Sequence, residues 1–318
     1  MANKYLNYLR PALRQTAETV MPGPRWAKRR IVVSGLPRSG TSWVAKALSL
    51  SPNVAYYFEP DSVLERRHWY VYPDAHAGNP LLARHISAAF AGRIHTEYVI
   101  AERGLREILT TWRADVVLIK WVKLVLCLDW LAQHFPDVTV VQTVRHPVPL
   151  TLSWRKRGWD PGHALDLLLA QPGLMTGPLA PYADAMRSAE SYWERAGAFW
   201  GAIAFMQLRQ HRPGWVLREH ERFCIDPVEQ YRALTQQLGL AWSDRIAGFV
   251  TGENRRTVGP GYGRRRDPRQ EIHKWETGVT RGERDQLESV VRVFDLPFYA
   301  RLDPEVFRDS QSSSRRAG

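Results

Sequence analysis

Read for its apolar and polar positions, the chain opens its core at RRIVVSG, a short β-branched run that stops at Gly35. TSWVAKALSLSP follows with helical spacing and is ended by Pro52. NVAYYFEP predicts a second strand that delivers Glu59 at its carboxyl end. ADVVLIKW predicts a third ending at Lys120, LVLCLDWLAQHFP a helix, and DVTVVQTVRHP a fourth strand ending at Arg145. Between them, residues 61–95, with HWYVYPDAHAGNP, read as a long irregular functional loop, and TEYVIAERGLREILTTW has helical spacing. Residues from about 160 to 211 are helical and rich in aromatics, and PGWVLREHERFCIDPVEQYRALTQQLGL gives a further strand, a loop and a helix capped by Gly239. TRGERDQLESVVRVF is the last helix. Such alternation predicts an α/β fold, a parallel sheet flanked by helices in three layers and a single domain. The boundaries read as an N-terminal helical extension over 1–30, one domain over 31–300, and a flexible tail over 301–318.

Composition narrows the class. The 318 residues are 44% apolar and 24% charged, as in ordinary globular proteins. No run approaches the roughly 18 apolar residues of a transmembrane helix. The start, MANKYLNYLRPALRQ, is broken by charges and Pro11, and its apolar set Tyr5, Leu6, Leu9 and Leu13 predicts a helix lying on the domain. Two cysteines, Cys127 and Cys224, stand in apolar contexts and cannot make a disulfide framework, which fits a reducing cytoplasm. Ten histidines carry no HExxH or CxxC pattern, so no metal site is read. An excess of 44 basic over 32 acidic side chains gives +12 and favours anionic partners: a nucleotide, an acidic polymer or weak contact with an anionic membrane surface. Nucleic acid is disfavoured, since no recognised binding motif accompanies the charge.

The sharpest local signal is VVSGLPRSGTSW, residues 32–43. Gly35 and Gly40 are spaced as in a phosphate-binding loop, but Thr41 stands where the lysine of a triphosphate site would follow. Arg38 offers a permanent fork for phosphate oxygens, and the amides of Ser39 to Ser42 can form an anion nest at a helix N-terminus. The fold is therefore of the P-loop type without its triphosphate machinery. No carboxylate ends the fourth strand to hold Mg²⁺; Arg145 and His146 stand there. A sulfuryl group carries fewer negative oxygens than a phosphoryl dianion, so arginine and lysine could stabilise its transfer without a metal.

PRSGTSW resembles the 5′-phosphosulfate loop of the sulfotransferases, which use 3′-phosphoadenosine 5′-phosphosulfate (PAPS) as donor. VRHPVPLTLSW is similar to their 3′-phosphate motif, with Ser153 eight positions after Arg145 as in that family. FEP at 58–60 resembles a segment of the carbohydrate sulfotransferases, and tyrosyl-protein sulfotransferases place a glutamate comparably. LREHERFCIDPVEQYRALTQQLGL resembles the later acidic segment, and HKWETGVT the C-terminal element, so the likeness runs from about 31 to 295. It implies PAPS as donor co-substrate, with no metal, bound by Pro37, Arg38, Ser39, Gly40, Thr41, Ser42, Trp43, Arg145 and Ser153, with Trp43 against adenine. Three departures stand out. His146 replaces the usual aspartate, LIKWVKL lacks the histidine of the cytosolic enzymes, and their GxxGDWK signature is absent.

For the chemistry, Glu59 is the candidate general base, with partial burial expected to raise its pKa toward a useful value. Lys120 is expected to approach the sulfuryl group or bridging oxygen together with Arg38, and Lys123 is its competitor. One of Arg264, Arg265 and Arg266 closes over the nucleotide, or all three form a solvated run. The resulting reading is in-line transfer from PAPS to a hydroxyl of a carbohydrate or glycoconjugate, or of another small-molecule acceptor such as a lipid or phenolic metabolite. The aromatics around 68–73 and 192–200 could stack on sugars or be core. A P-loop small-molecule kinase and a catalytically silent PAPS-fold protein binding acidic polymers are the alternatives.

Overall fold

The computed structural model describes residues 27–100, 103, 105–252, 272–273, 275–297 and 299, with residues 16, 17, 20, 23 and 24 ahead of them. Most of the predicted N-terminal extension, the basic loop with Arg264, Arg265 and Arg266, and the tail over 301–318 lie outside the described residues.

Five strands, β1 (Arg29–Ser34), β2 (Val54–Phe58), β3 (Val116–Trp121), β4 (Val138–Val144) and β5 (Val216–Glu219), form one sheet of order β2-β3-β1-β4-β5. Every pairing is parallel. The helices of six or more residues are α1 (Thr41–Ser49), α2 (Pro80–Phe90), α3 (Leu128–His134), α4 (Pro147–Arg155), α5 (Pro161–Leu169), α6 (Tyr192–Arg209), α7 (His220–Ile225), α8 (Pro227–Gln237), α9 (Asp244–Thr251) and α10 (Arg281–Arg292).

The sheet is apolar on both faces. Ile31 and Val33 of β1 meet α1, α8 and α9 on one side, while Val32 packs with α2 and α3 on the other. This two-sided burial explains why the strands read as continuous apolar runs rather than alternating ones. A third cluster joins α4, α5, α6 and α10 beside the carboxyl ends of the strands. Ser191 and Thr280 start α6 and α10 with reciprocal capping boxes. The chain lays β3 on one side of β1 and β4 on the other, a switch point beside whose strand carboxyl ends open α/β sheets bind ligands.

Several elements differ from the sequence reading, among them the segment after the fifth strand, read as a loop and found as α7. The stretch 61–95 contains α2, started by Asn79, whose Oδ1 accepts the Leu82 amide at 3.1 Å, with Pro80 at the first helical position. The helix predicted from LVLCLDW starts only at Leu128, because residues 122–127 make a turn whose Leu124, Val125 and Leu126 are buried. In the helical stretch predicted over 96–112, the described residues form short helices at Glu97–Ile100 and Leu105–Leu109 and a 3₁₀ turn at Thr111–Arg113.

Candidate active site

Polar residues from the carboxyl ends of all five strands gather beside this switch point. After Ser34 the chain turns through Gly35–Gly40 into α1, with left-handed backbone at Arg38 (φ 76°) and Gly40 (φ 93°). A side chain is excluded at Gly40 for a second reason, since an added Cβ would lie 2.3 Å from Nδ1 of His220. At Gly35 a Cβ would meet Thr143 Oγ1 at 2.5 Å, so β4 presses directly on the loop. The Trp154 indole donates to the Pro37 carbonyl (2.9 Å), and Ser39 Oγ shares a hydrogen bond with Thr143 Oγ1 (3.0 Å). The Ser39 amide turns inward to the Leu36 carbonyl at 3.1 Å. Of the amides expected to form a nest over Ser39–Ser42, that of Ser39 is thus taken within the loop, and those of Gly40, buried Thr41 and half-buried Ser42 stand at the head of α1. Trp43 is half-buried, edge-on to Tyr231 and His220 with ring centroids 5.3 and 6.0 Å away.

The end of β4 joins this loop. Arg145 Nη1 donates to the Arg38 carbonyl (3.1 Å), and Arg38 Nε donates to Ser153 Oγ in α4 (3.1 Å). Arg145 Nε is buried and has no hydrogen-bond partner among the described residues, an orphan donor that an anion would satisfy. His146 caps α4, its Nδ1 accepting the Val148 amide at 3.2 Å. Its ring stacks near Trp275 and Tyr299, both with centroids 5.7 Å away. Burial, reinforced by the charges of Arg284 and Arg145, pushes its pKa down to about 3, so it is a neutral cap. Glu221 Oε1 in α7 accepts the His146 amide at 3.0 Å. Burial pushes Glu221 up to about 7 against the opposing charge of Arg145.

On the other side of β1, Glu59 leaves β2 with a left-handed φ of 43° and its amide donates to the Lys120 carbonyl at 2.8 Å. Lys120 is buried and ion-pairs with Glu59 Oε1, its ammonium 4.3 Å from the Phe58 ring centroid. Tyr98 (2.6 Å) and Ser62 (3.1 Å) donate to Glu59 Oε2. The expectation of a raised pKa for Glu59 is corrected here. Burial does push it up, but the Lys120 charge and the hydrogen bonds from Lys120, Tyr98 and Ser62 outweigh burial and hold it below the ordinary 4.5.

A sulfotransferase family profile matches residues 30–244, which span β1 through the start of α9. The chain belongs to the sulfotransferase family. Similar solved structures include the sulfotransferase domain from the Synechococcus PCC 7002 olefin synthase, at 15% identity over 87% of this chain and 96% of that one, TM-score 0.49. The sulfotransferase domain from the curacin biosynthetic pathway matches at 14% identity over 86% and 97%, TM-score 0.48. Sulfotransferase STF1 from Mycobacterium tuberculosis matches at 15% identity over 89% and 81%, TM-score 0.40. Among curated proteins there is no significant match.

In this sulfotransferase several site-lining groups escape a linear reading. Asp61 is fully buried, and its Oδ2 accepts the amides of Val122 (2.7 Å) and Lys123 (2.5 Å). This clamp bends the chain after β3 into the turn that replaces the predicted helix start. Burial, then the charge of Glu59, pushes Asp61 up to about 7 despite those amides. His220 is half-buried with Nδ1 shielded and unpartnered among the described residues. Burial and the charges of Arg145 and Arg38 hold its pKa well below the usual imidazole value. Asp61, two residues past Glu59, and His220, directly after β5, share the one signal that sequence offers: a polar side chain at a strand's carboxyl end. Of the candidate stacking aromatics, Trp193, Phe199 and Trp200 belong to the core, whereas Trp69 is half-buried. Cys127 and Cys224 are buried free thiols. Among the described residues no helix is long and apolar enough to cross a membrane.

Proposed function

We propose that this sulfotransferase transfers a sulfuryl group from PAPS to a hydroxyl of a carbohydrate or glycoconjugate by direct in-line displacement. The reading is carried by the bonds that run from Arg145 to the Arg38 carbonyl and from Arg38 to Ser153, which make the loop and α4 one anion pocket. When bound, the donor supplies a sulfuryl group activated by attachment to a 5′-phosphate. The amides of Gly40, Thr41 and Ser42 and the Arg38 guanidinium receive that phosphate. Arg145, whose Nε has no hydrogen-bond partner among the described residues, and the Ser153 hydroxyl receive the 3′-phosphate, a group of about −1.5 to −2 charge that needs two or three donors. Pro37 and Ser39 hold the loop to α4 and β4 through their bonds to Trp154 and Thr143, and Trp43 flanks the adenine.

Glu59 accepts the acceptor's hydroxyl proton as the acceptor oxygen bonds to sulfur. The bond from sulfur to the phosphate oxygen breaks, and its electron pair leaves on the phosphate, where Arg38 and the loop amides stabilise it. Lys120 keeps Glu59 ionised, so the carboxylate is free to take a proton near neutral pH. Once Glu59 is protonated, the Lys120 ammonium is released toward the sulfuryl oxygens. FEP and the half-buried Trp69 support a sugar acceptor.

Incubation with sulfur-labelled PAPS and a panel of hydroxyl acceptors tests this: labelled product is expected, and Glu59→Gln should suppress it. Calorimetry with 3′-phosphoadenosine 5′-phosphate (PAP) and with ATP·Mg²⁺ is the second test. PAP should bind and ATP·Mg²⁺ should not compete; the reverse preference would replace this reading with a kinase.

A further inference from the structure

Lys123 is the second cation at the end of β3, and its surroundings differ from those of Lys120. Its Nζ lies 4.1 Å from the Trp69 ring centroid, 5.5 Å from that of Tyr70 and 5.9 Å from that of Trp159. Its one hydrogen bond, to Tyr70 Oη, is stretched to 3.5 Å, and among the described residues it has no ion-pair partner. An ammonium carries three donors, so most of its capacity is open.

The backbone beneath it is fixed from both sides. Asp61 takes the Lys123 amide, and the Lys123 carbonyl accepts the Tyr70 amide at 2.7 Å. Tyr70 itself is buried with a left-handed φ of 56°, in edge contact with Phe199 at 5.1 Å. Strained backbone of this kind persists where surrounding structure over-determines it. Trp69 is anchored by its indole to the Leu64 carbonyl (3.0 Å), and the Arg66 guanidinium lies 5.7 Å from its ring. Trp159 is 42% exposed, so the box opens to solvent along one wall.

The box lies on the same wall as the donor loop. Phe199 touches Trp154 at 5.8 Å, Trp154 bonds to the Pro37 carbonyl, and the Trp159 amide donates to the Trp154 carbonyl at 3.1 Å. Burial, offset in part by the charges of Asp61 and Glu59, draws the Lys123 pKa below the ordinary lysine value. A partly desolvated ammonium without an anion in contact is a costly arrangement. Aromatic faces return some of that cost, and an anion would return more.

We infer that Lys123, walled by Trp69, Tyr70 and Trp159, is an acceptor subsite that takes a carboxylate, phosphate or sulfate carried by the acceptor itself. The substrate class is therefore a hydroxylated anion with a flat face, rather than a neutral sugar or neutral phenol. Trp159 stacks against the flat face, Lys123 pairs with the anion, and the hydroxyl is left to reach Glu59. This rests on the sulfotransferase reading above, with PAP marking the donor pocket.

The test uses the full chain saturated with PAP. Three matched pairs are titrated by calorimetry and by tryptophan fluorescence: glucuronate against glucose, 4-hydroxybenzoate against 4-hydroxybenzyl alcohol, and glycerol 3-phosphate against glycerol. At least one anionic member should bind roughly tenfold to a hundredfold more tightly than its neutral counterpart, the range of one charged hydrogen bond. Lys123→Met should bring that pair to parity, and Lys123→Arg should restore part of the preference. Both variants should keep their unfolding temperature and PAP affinity, which separates a local loss from a folding defect. No preference in any pair, or a preference that survives Lys123→Met, would overturn the assignment. Failure of the wild type to bind PAP is a different result, which removes the donor reading underneath.

Discussion

The two flanks of β1 solve opposite electrostatic problems. Toward β4, Arg38 and Arg145 converge on one loop, joined through a backbone carbonyl and a serine hydroxyl, and Arg145 Nε is left unsatisfied among the described residues. Toward β2, Lys120 and Glu59 neutralise each other in a buried pair, with Tyr98 and Ser62 completing the carboxylate's shell. A pocket for a ligand of fixed charge can be left charged, since the ligand completes it. A group that must exchange a proton needs its own counter-charge within the protein. The flank toward β4 should therefore govern nucleotide affinity, and the flank toward β2 should govern turnover.

The largest effect is expected from Arg38→Glu combined with Arg145→Glu. Losing several charged hydrogen bonds, each worth about 1.5–3 kcal/mol, should weaken PAP binding by roughly a thousandfold or more in calorimetry. Glu59→Gln comes next: kcat should drop by about a hundredfold or more, the scale of general-base catalysis, while PAP affinity holds. In the wild type the acidic limb of kcat/KM should lie below pH 4.5, because Glu59 of the free enzyme is depressed from that value and the rate is lost only as pH falls through its folded pKa. If Glu59→Gln weakened PAP as much as it slowed turnover, the division between the two flanks would fail.

Gly40→Ala should come third. A left-handed backbone costs about 1–3 kcal/mol for a residue with a Cβ, and the added atom would push against His220, so both unfolding temperature and PAP affinity should fall. Ser153→Ala removes one partner of Arg38 and should cost about 0.5–1.5 kcal/mol of PAP affinity, with kcat little changed. Asp61 sharpens the comparison through pH. It loses its proton near 3.8 when unfolded and near about 7 when folded, so between those values the folded state holds the extra proton and stability declines as pH rises. Asp61→Asn keeps the acceptor oxygen for Val122 and Lys123 and should flatten that decline in a series of thermal melts.

The elements flanking β1 toward β4 were legible in the sequence because each is a contiguous stretch. β1, the loop and α1 form one unbroken stretch, and so do β4, Arg145 and α4 with Ser153. The parallel sheet followed from the same logic, since strands buried on both faces leave long apolar runs. What escaped is what depends on distant approach. The lowered pKa of Glu59 needs Lys120 and Tyr98, residues 61 and 39 positions away, and the partner of His146 comes from 75 positions away. The aromatic stretch before Asn79 resembled a loop strongly enough to hide α2, although Asn-Pro at its head is a start signal. Apolar LVL after Lys123 resembled a helix because helical propensity cannot register a carboxylate that captures two amides from a distant turn.

The bonds joining the phosphate loop to α4 have a mechanical consequence. Trp154 holds Pro37, Ser153 holds Arg38, and Arg145 holds the carbonyl of Arg38, so neither jaw can slide past the other without breaking all three. The opening between them is thereby a caliper set at one width. A nucleotide with one phosphate too few, or with its phosphates in a single chain, should therefore bind more weakly than PAP when the two are compared by calorimetry.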